Sequence, residues 1–155
     1  MFKFIILLSF FLVTLYAQEY KTENSLSYEK SISTLQNIEH DGIFYGSGEH
    51  LVYVFLDPLC PYSRKFISML AKNEKMLLKY RYCIYLYSIP RLHSTGAVTA
   101  IYDSPTPLDT LLKIMLNDAK LSEMPNEKIA LKISEIESVG KKLNIKKRPF
   151  LIVKK

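Results

Sequence analysis

The sequence predicts an α/β fold in which a β-sheet is covered by helices, and two patterns carry this prediction. Short runs rich in β-branched and aromatic residues recur at 51–56, 80–87 and 150–153. The segments between them carry apolar residues at helical spacing, and strands that alternate with helices are typical of an α/β layout. With 155 residues, the chain has the length of one domain.

The first half of the predicted order is strand, strand, helix, strand. Residues 42–45 predict a short strand, and the glycines of 46–48 predict a hairpin turn into the strand 51–56. A helix is predicted over 63–78, directly after the turn that ends the second strand. The aromatic run 80–87 predicts the third strand, because aromatic residues favour β-structure.

The second half is predicted to hold three helices and a last strand. Apolar spacing indicates helices over 95–102, 108–119 and 128–143, with Pro125 breaking the pattern between the last two. The run 150–153 predicts the final strand. These helices form an insertion between the third and fourth strands, so the predicted sheet is interrupted by a helical segment.

The N-terminus has the pattern of a secretory signal peptide over residues 1–17. Lys3 precedes an apolar run over 4–15, and Ala17 is the candidate cleavage point. An uncleaved membrane anchor is the alternative, so a membrane is expected as a partner only in that case. Residues 18–40 are polar and predict an N-terminal linker or short helix, which leaves 41–155 as the folded domain. Export predicts a periplasmic, oxidising location.

Composition argues against two classes of ligand. The 21 Lys and Arg residues exceed the 15 Asp and Glu residues, and Lys146-Lys147-Arg148 concentrates this charge near the C-terminus. Such runs more often form a solvated face than a nucleic-acid site, so no nucleic-acid partner is predicted. His93 invites a metal site, but the two cysteines and three histidines lack zinc-type spacing. No metal and no cofactor are therefore predicted.

Cys60-Pro61-Tyr62-Ser63 is the segment that carries chemistry. Cys60 follows a strand and begins a helix, where unpaired N–H groups and the helix dipole favour a thiolate. The spacing is that of a redox C-x-x-C motif with serine as its second member, so exchange must run through one sulfur. Two roles stay open for Ser63: its hydroxyl stabilises the thiolate, or it is a structural serine early in the helix.

Two further residues have a chemical and a structural interpretation. Asp57 is either a proton acceptor for the Cys60 thiol or a turn residue with Pro58, and the turn is favoured. Cys83 lies four residues before the end of its predicted strand, which is about 13 Å from the edge where Cys60 lies. Because a disulfide needs Cα atoms within about 7 Å, Cys83 is predicted to be a buried core residue.

The segment 54–63 resembles the active-site segment of the thioredoxin-fold periplasmic disulfide isomerases of the DsbC and DsbG kind. Segments 89–101 and 143–153 resemble the same family, with Ser63 in place of its second cysteine. The resemblance implies a thioredoxin-like fold and a cis proline that faces the active cysteine. It also implies a substrate-binding set of Pro61, Tyr62, Arg148 and Pro149.

The sequence therefore predicts an exported thiol–disulfide exchange protein that acts through Cys60 alone. Its expected partners are cysteine-containing exported proteins and an external thiol or reductase that releases the mixed disulfide. Two alternatives stay open. One is glutaredoxin-like deglutathionylation, since C-P-Y-S also resembles glutaredoxin motifs, and the other is a redox-inactive module that binds an extended segment of an envelope protein.

Overall fold

The computed structural model describes residues 26–117 and 127–155. Its helices are α1 (Tyr28–Asn37), α2 (Pro61–Ala71), α3 (Glu74–Lys79), α4 (Thr95–Asp103), α5 (Pro107–Asn117) and α6 (Glu127–Lys142). Its strands are β1 (Ile43–Tyr45), β2 (His50–Leu56), β3 (Tyr80–Leu86) and β4 (Phe150–Val153). Two 3₁₀ turns lie at Glu39–Asp41 and Pro90–Leu92. Across these ranges no helix is both long and apolar enough to span a bilayer. The predicted signal peptide, 1–17, lies outside the described residues.

The four strands form one mixed sheet in the order β1-β3-β2-β4. The central pair, β2 and β3, is parallel, and the outer strands β1 and β4 are antiparallel to their neighbours. Consecutive residues along β2 and β3 are buried, so both faces of the central pair are covered. The predicted α/β class is confirmed, and the parallel pair brings the carboxyl ends of β2 and β3 together at one edge.

The predicted hairpin between 42–45 and 51–56 is wrong, because β3 lies between these two strands. The loop 46–48 passes across the start of β3 instead of turning tightly. Gly46 has φ +89°, and the Ser47 N–H donates to the Leu77 carbonyl at 2.8 Å. A side chain at Gly48 would place Cβ 2.0 Å from the backbone carbon of Lys79. The glycines therefore serve a close backbone crossing, which the turn pattern alone does not distinguish from a hairpin.

The helix predicted over 63–78 is two helices, α2 and α3. It begins earlier than predicted, with Pro61 in its first turn, where the missing proline N–H costs nothing. The break follows from Asn73, whose side chain accepts from the Met76 N–H at 3.2 Å and caps α3. The capping side chain therefore divides the helix, although the apolar residues continue at helical spacing beyond it.

The remaining predicted elements are present with shifts of one or two residues at their ends. Helices α4 and α6 match the predictions over 95–102 and 128–143, and α5 matches 108–119 as far as residue 117. Residues 118–119 and Pro125 lie outside the described residues. Within the segment assigned to a linker or short helix, α1 places Leu35 in the core at 0% exposure. The Tyr85 hydroxyl donates to the Leu35 carbonyl at 3.1 Å, which fixes α1 against the sheet.

Candidate active site

Cys60 lies where the chain leaves the carboxyl end of β2 and enters α2. It is the N-cap of that helix, with extended ψ of 123°, and its carbonyl accepts from the Arg64 N–H at 2.9 Å. The Cys60 N–H donates to the Asp57 carbonyl at 3.1 Å, so the connecting turn is closed. A sulfur at this position faces the positive end of the helix dipole, although the residue is only 3% exposed.

The loop before β4 meets Cys60 across this edge of the sheet. The Arg148–Pro149 peptide bond is cis, as the family resemblance implies. The Cys60 Sγ lies 3.9 Å from the Arg148 carbonyl oxygen, in a weak hydrogen bond that the thiol donates. Three of the residues assigned to the site from the sequence are therefore adjacent, although 88 positions separate Cys60 from Arg148 along the chain.

The Arg148 side chain is bound to the end of β3. Its Nε donates to the Tyr87 carbonyl at 3.1 Å, and its Nη2 donates to the Ser88 carbonyl at 3.1 Å. Its Cζ lies 3.9 Å from the centre of the Tyr87 ring, which is a cation–π contact. The guanidinium thus fixes the cis-proline loop to the neighbouring strand. In the described part of the chain, the Arg148 N–H forms no backbone hydrogen bond.

Ser63 is fully buried in the first turn of α2, and its hydroxyl contacts the backbone before the motif. Its Oγ accepts from the Asp57 N–H at 3.2 Å. This contact ties the first turn of α2 to the end of β2. Of the two roles left open by the sequence, the structural one has a hydrogen bond to support it.

The Asp57 carboxylate accepts three hydrogen bonds that hold this turn in place. It accepts from the Leu59 N–H at 2.8 Å, from the Ser94 hydroxyl at 2.6 Å and from the Ile89 N–H. Asp57 is 0% exposed, so these donors replace the water that the carboxylate loses on burial. These contacts support the turn role that the sequence favours. The part played by Ile89 was not predicted, because it depends on a loop 32 residues away.

A groove with a volume of about 550 Å³ opens at Cys60. Its lining residues are Cys60, Tyr62, Ile89, Arg91, Lys146, Lys147, Arg148 and Pro149. Tyr62, which the sequence assigned to substrate binding, is 73% exposed at its rim. Pro61, assigned to the same role, is exposed at the start of α2 but does not line this groove. The cations Arg91, Lys146 and Lys147 were not assigned to the site, and the basic run before Pro149 was the signal for two of them.

Cys83 is a buried core residue, as predicted. It lies in the middle of β3, opposite Tyr53 of β2, at 0% exposure. Burial raises the pKa of its thiol to about 11, so the thiol stays protonated near neutral pH. Both cysteines are free. His93 is exposed, and no group of three His, Cys, Asp or Glu side chains able to hold a metal ion occurs within 26–117 and 127–155.

Comparison with known proteins gives the fold. No protein-family model matches the chain, and no curated protein matches its sequence. Proteus mirabilis ScsC in a transitional conformation is 14% identical with a TM-score of 0.68, covering 95% of this chain and 78% of that one. Helicobacter pylori DsbG is 18% identical with a TM-score of 0.64, covering 81% of this chain and 61% of that one.

A periplasmic thioredoxin-like protein from Salmonella enterica serovar Typhimurium is 15% identical with a TM-score of 0.60, covering 79% of this chain and 83% of that one. The chain therefore has a thioredoxin-like fold, with the helices α4 to α6 inserted between β3 and β4. The fold prediction is confirmed.

Proposed function

We propose that this protein is an exported thiol–disulfide exchange protein that works through Cys60. The observation that carries the proposal is the contact between the Cys60 Sγ and the Arg148 carbonyl, beside the cis Pro149 and at the N-terminus of α2. The similar fold of the periplasmic thioredoxin-like protein supports a periplasmic location, and the resemblance of segment 54–63 to disulfide isomerases supports exchange chemistry.

The reaction has two steps that share one sulfur. In the first, the Cys60 thiolate attacks a substrate disulfide, so a Cys60–substrate S–S bond forms while the original S–S bond breaks and releases a thiolate. In the second, an external thiolate or a second substrate thiolate attacks the substrate sulfur of the mixed disulfide, so a new S–S bond forms to that sulfur while the Cys60–substrate bond breaks and Cys60 leaves as a thiolate. Ser63 takes no part in the second step, because an alcohol is not ionised near neutral pH.

An extended polypeptide segment is the substrate that the groove suits. The Arg148 N–H lies beyond the β2–β4 ladder and is available to pair with a strand laid across the cis-proline loop. The exposed ring of Tyr62 offers apolar contact in the same groove. Such main-chain pairing binds many sequences, so cysteine-containing exported proteins are the proposed partners.

The test is the capture of a mixed disulfide by the folded protein. The native chain is incubated with a small peptide disulfide, the reaction is stopped by acid, and intact mass is measured. We expect an adduct on Cys60 that accumulates and disappears only after a thiol is added. Ser63→Cys is expected to clear its adduct without added thiol and to form an internal disulfide between Cys60 and the introduced thiol, because positions i and i+3 are adjacent in a helix.

Two variants serve as controls. Cys60→Ala removes the proposed nucleophile and should give no adduct, whereas Cys83→Ala should react as the native chain does, because Cys83 is buried with its pKa raised to about 11. If the folded native chain forms no adduct while a small free thiol does, the exchange function is wrong. The redox-inactive binding module would then be the better hypothesis.

A further inference from the structure

The groove around Cys60 is strongly cationic. Four of its eight lining residues are basic, and none of the eight is acidic. Lys146, Lys147 and Arg91 are exposed, so their charges are solvated and face the groove without a large cost of burial. Asp57, the acid closest to Cys60 in sequence, is buried with its carboxylate held by three donors.

The position of the two lysines is fixed by the end of α6. Asn144 takes a left-handed φ of 53°, and the Ile145 N–H donates to the Gly140 carbonyl at 3.0 Å. Ile145 is 5% exposed, which anchors the chain in the core immediately before Lys146 and Lys147. The backbone at Lys146 and Lys147 therefore has a defined place at the groove and is not part of a freely moving tail.

We propose that this groove selects disulfides flanked by carboxylates. The inference rests on the proposed exchange function and names its substrate class. The shared chemistry is an anionic group next to the reacting sulfur, which either an acidic protein segment or a small acidic thiol such as glutathione provides. The exchange step is unchanged: the Cys60–sulfur bond forms, the substrate S–S bond breaks, and the leaving thiolate carries the negative charge.

Electrostatics predicts an effect mainly on the rate of association. Several like charges in one cleft raise the local concentration of an oppositely charged ligand and speed its encounter by about 10- to 1,000-fold. The effect weakens with salt, because the Debye length is about 8 Å at physiological ionic strength and shorter above it.

The experiment measures second-order rates of adduct formation with matched disulfides. One arm uses three single-cysteine peptides, in which the two residues beside the cysteine are Asp, Asn or Lys. The cysteine of each peptide is joined by a disulfide to the same neutral thiol, which is the leaving group. The other arm compares glutathione disulfide with its fully esterified form. At low salt we expect the acidic disulfide of at least one arm, the Asp peptide or glutathione disulfide, to react about tenfold or more faster than the neutral or esterified disulfide of the same arm. The difference in rate should shrink as the salt concentration rises towards about 0.5 M.

Matched variants tie the preference to the groove. The double change Lys146→Gln and Lys147→Gln should reduce the acidic preference by about threefold or more, because two of the four groove cations are lost. Lys72→Gln with Lys75→Gln removes the same charge at two exposed positions beyond the far end of α2 and should leave the preference unchanged. Thermal unfolding of each variant checks that the fold is retained.

The outcomes separate this inference from the function on which it rests. Preference in the peptide arm supports an acidic protein segment, and preference in the glutathione arm supports a small acidic thiol. Equal rates for acidic, neutral and basic members, or a preference that survives the Lys146 and Lys147 changes, would overturn the inference while exchange stands. Absence of reaction with every disulfide would instead overturn the exchange function itself.

Discussion

The two cysteines of this chain lie in opposite environments. Cys60 begins a helix beside a cationic groove, whereas Cys83 lies in the middle of the sheet with its Sγ 3.9 Å from the Glu39 carbonyl. Gly42 faces Cys83 so closely that an added Cβ would lie 2.2 Å from the sulfur. Cys83 therefore acts through its size, and the glycine opposite it provides the space.

This contact predicts a coupled pair of substitutions. Gly42→Ala should lower the free energy of unfolding by about 1–3 kcal/mol, because a methyl group overpacks the space held by the Cys83 sulfur. Cys83→Ala removes that sulfur, so the double variant should be more stable than the sum of the two single changes predicts. Urea unfolding of all four proteins measures the coupling, and strictly additive losses would contradict the contact.

At the site, Cys60, Arg148 and Pro149 were proposed from the sequence, and the structure brings them together. Cys60 was assigned from a strand-to-helix junction, and Arg148 and Pro149 came from the family resemblance. The hydrogen bonds that Asp57 accepts from Ile89 and Ser94 come from a segment 32 and 37 residues away, so no local pattern reveals them. The two lysines before Arg148 were visible as a basic run, but only the fold places that run beside the sulfur.

Among the elements, the strands and most helices follow from local patterns, whereas strand pairing does not. The run 42–45 was correctly placed as a strand, yet its partner is β3 and not β2. A parallel β2–β3 pair joined by α2 and α3 places β3 beside β2, and β1 then adds to the free side of β3. The choice between these partners depends on the whole sheet, which a turn motif does not encode.

The crossing at Gly48 gives the element-scale prediction. Gly48→Ala would bring Cβ within 2.0–2.3 Å of the backbone of Lys79 and Tyr80, so the loop must move away from the start of β3. We expect a loss of about 3 kcal/mol in unfolding free energy, at the upper end for overpacking, because backbone atoms cannot rotate aside. Native-state hydrogen exchange should also show faster exchange of the Ser47 amide, which bonds to Leu77.

Ser47→Ala is the matched control for that prediction. The Ser47 side chain is exposed and its hydrogen bond to Leu77 is made by the backbone, so alanine retains the contact. Its unfolding free energy should stay within about 0.5 kcal/mol of the native value, as for most surface changes. Equal losses of unfolding free energy in the two variants would contradict this prediction, because the close backbone approach at Gly48 would then not be the cause of the loss.

At the scale of the whole molecule, helix α1 and strand β4 are joined directly. The Tyr28 hydroxyl of α1 donates to the Val153 carbonyl at 3.0 Å and accepts from the Lys155 N–H at 2.7 Å. In the core, tyrosine hydroxyls connect the sheet to the helical segments that pack on it. The Tyr53 hydroxyl of β2 donates to Glu39, and the Tyr102 hydroxyl of α4 accepts from the Leu86 N–H of β3. The buried hydroxyls of Tyr53 and Tyr85 donate their hydrogen bonds, so they keep these bonds only while they remain protonated.

That property predicts a loss of stability in alkali. Burial is the main cause that raises the pKa of Cys83 from 9.0 to about 11, and it also raises the pKa values of Tyr53, Tyr85 and Tyr102 above the ordinary 10.0. The neutral forms are favoured in the folded chain, so the folded state keeps protons that the unfolded state loses. Their contribution is complete below about pH 9 and is lost as pH rises through the folded-state pKa values.

The measurement is the unfolding free energy in urea at about pH 7.5, 9.0, 10.0 and 10.5, which spans the ionisation of thiols and phenols in an unfolded chain. Each buried group that is ionised only in the unfolded chain should lower it by up to about 1.4 kcal/mol per pH unit. Cys83→Ala removes a buried thiol whose ordinary pKa of 9.0 is below the 10.0 of the tyrosines, so its decline should begin nearer pH 10 than pH 9. A native free energy that stays constant up to about pH 10.5 would contradict the account, because it would require the thiol and phenols to ionise equally in both states.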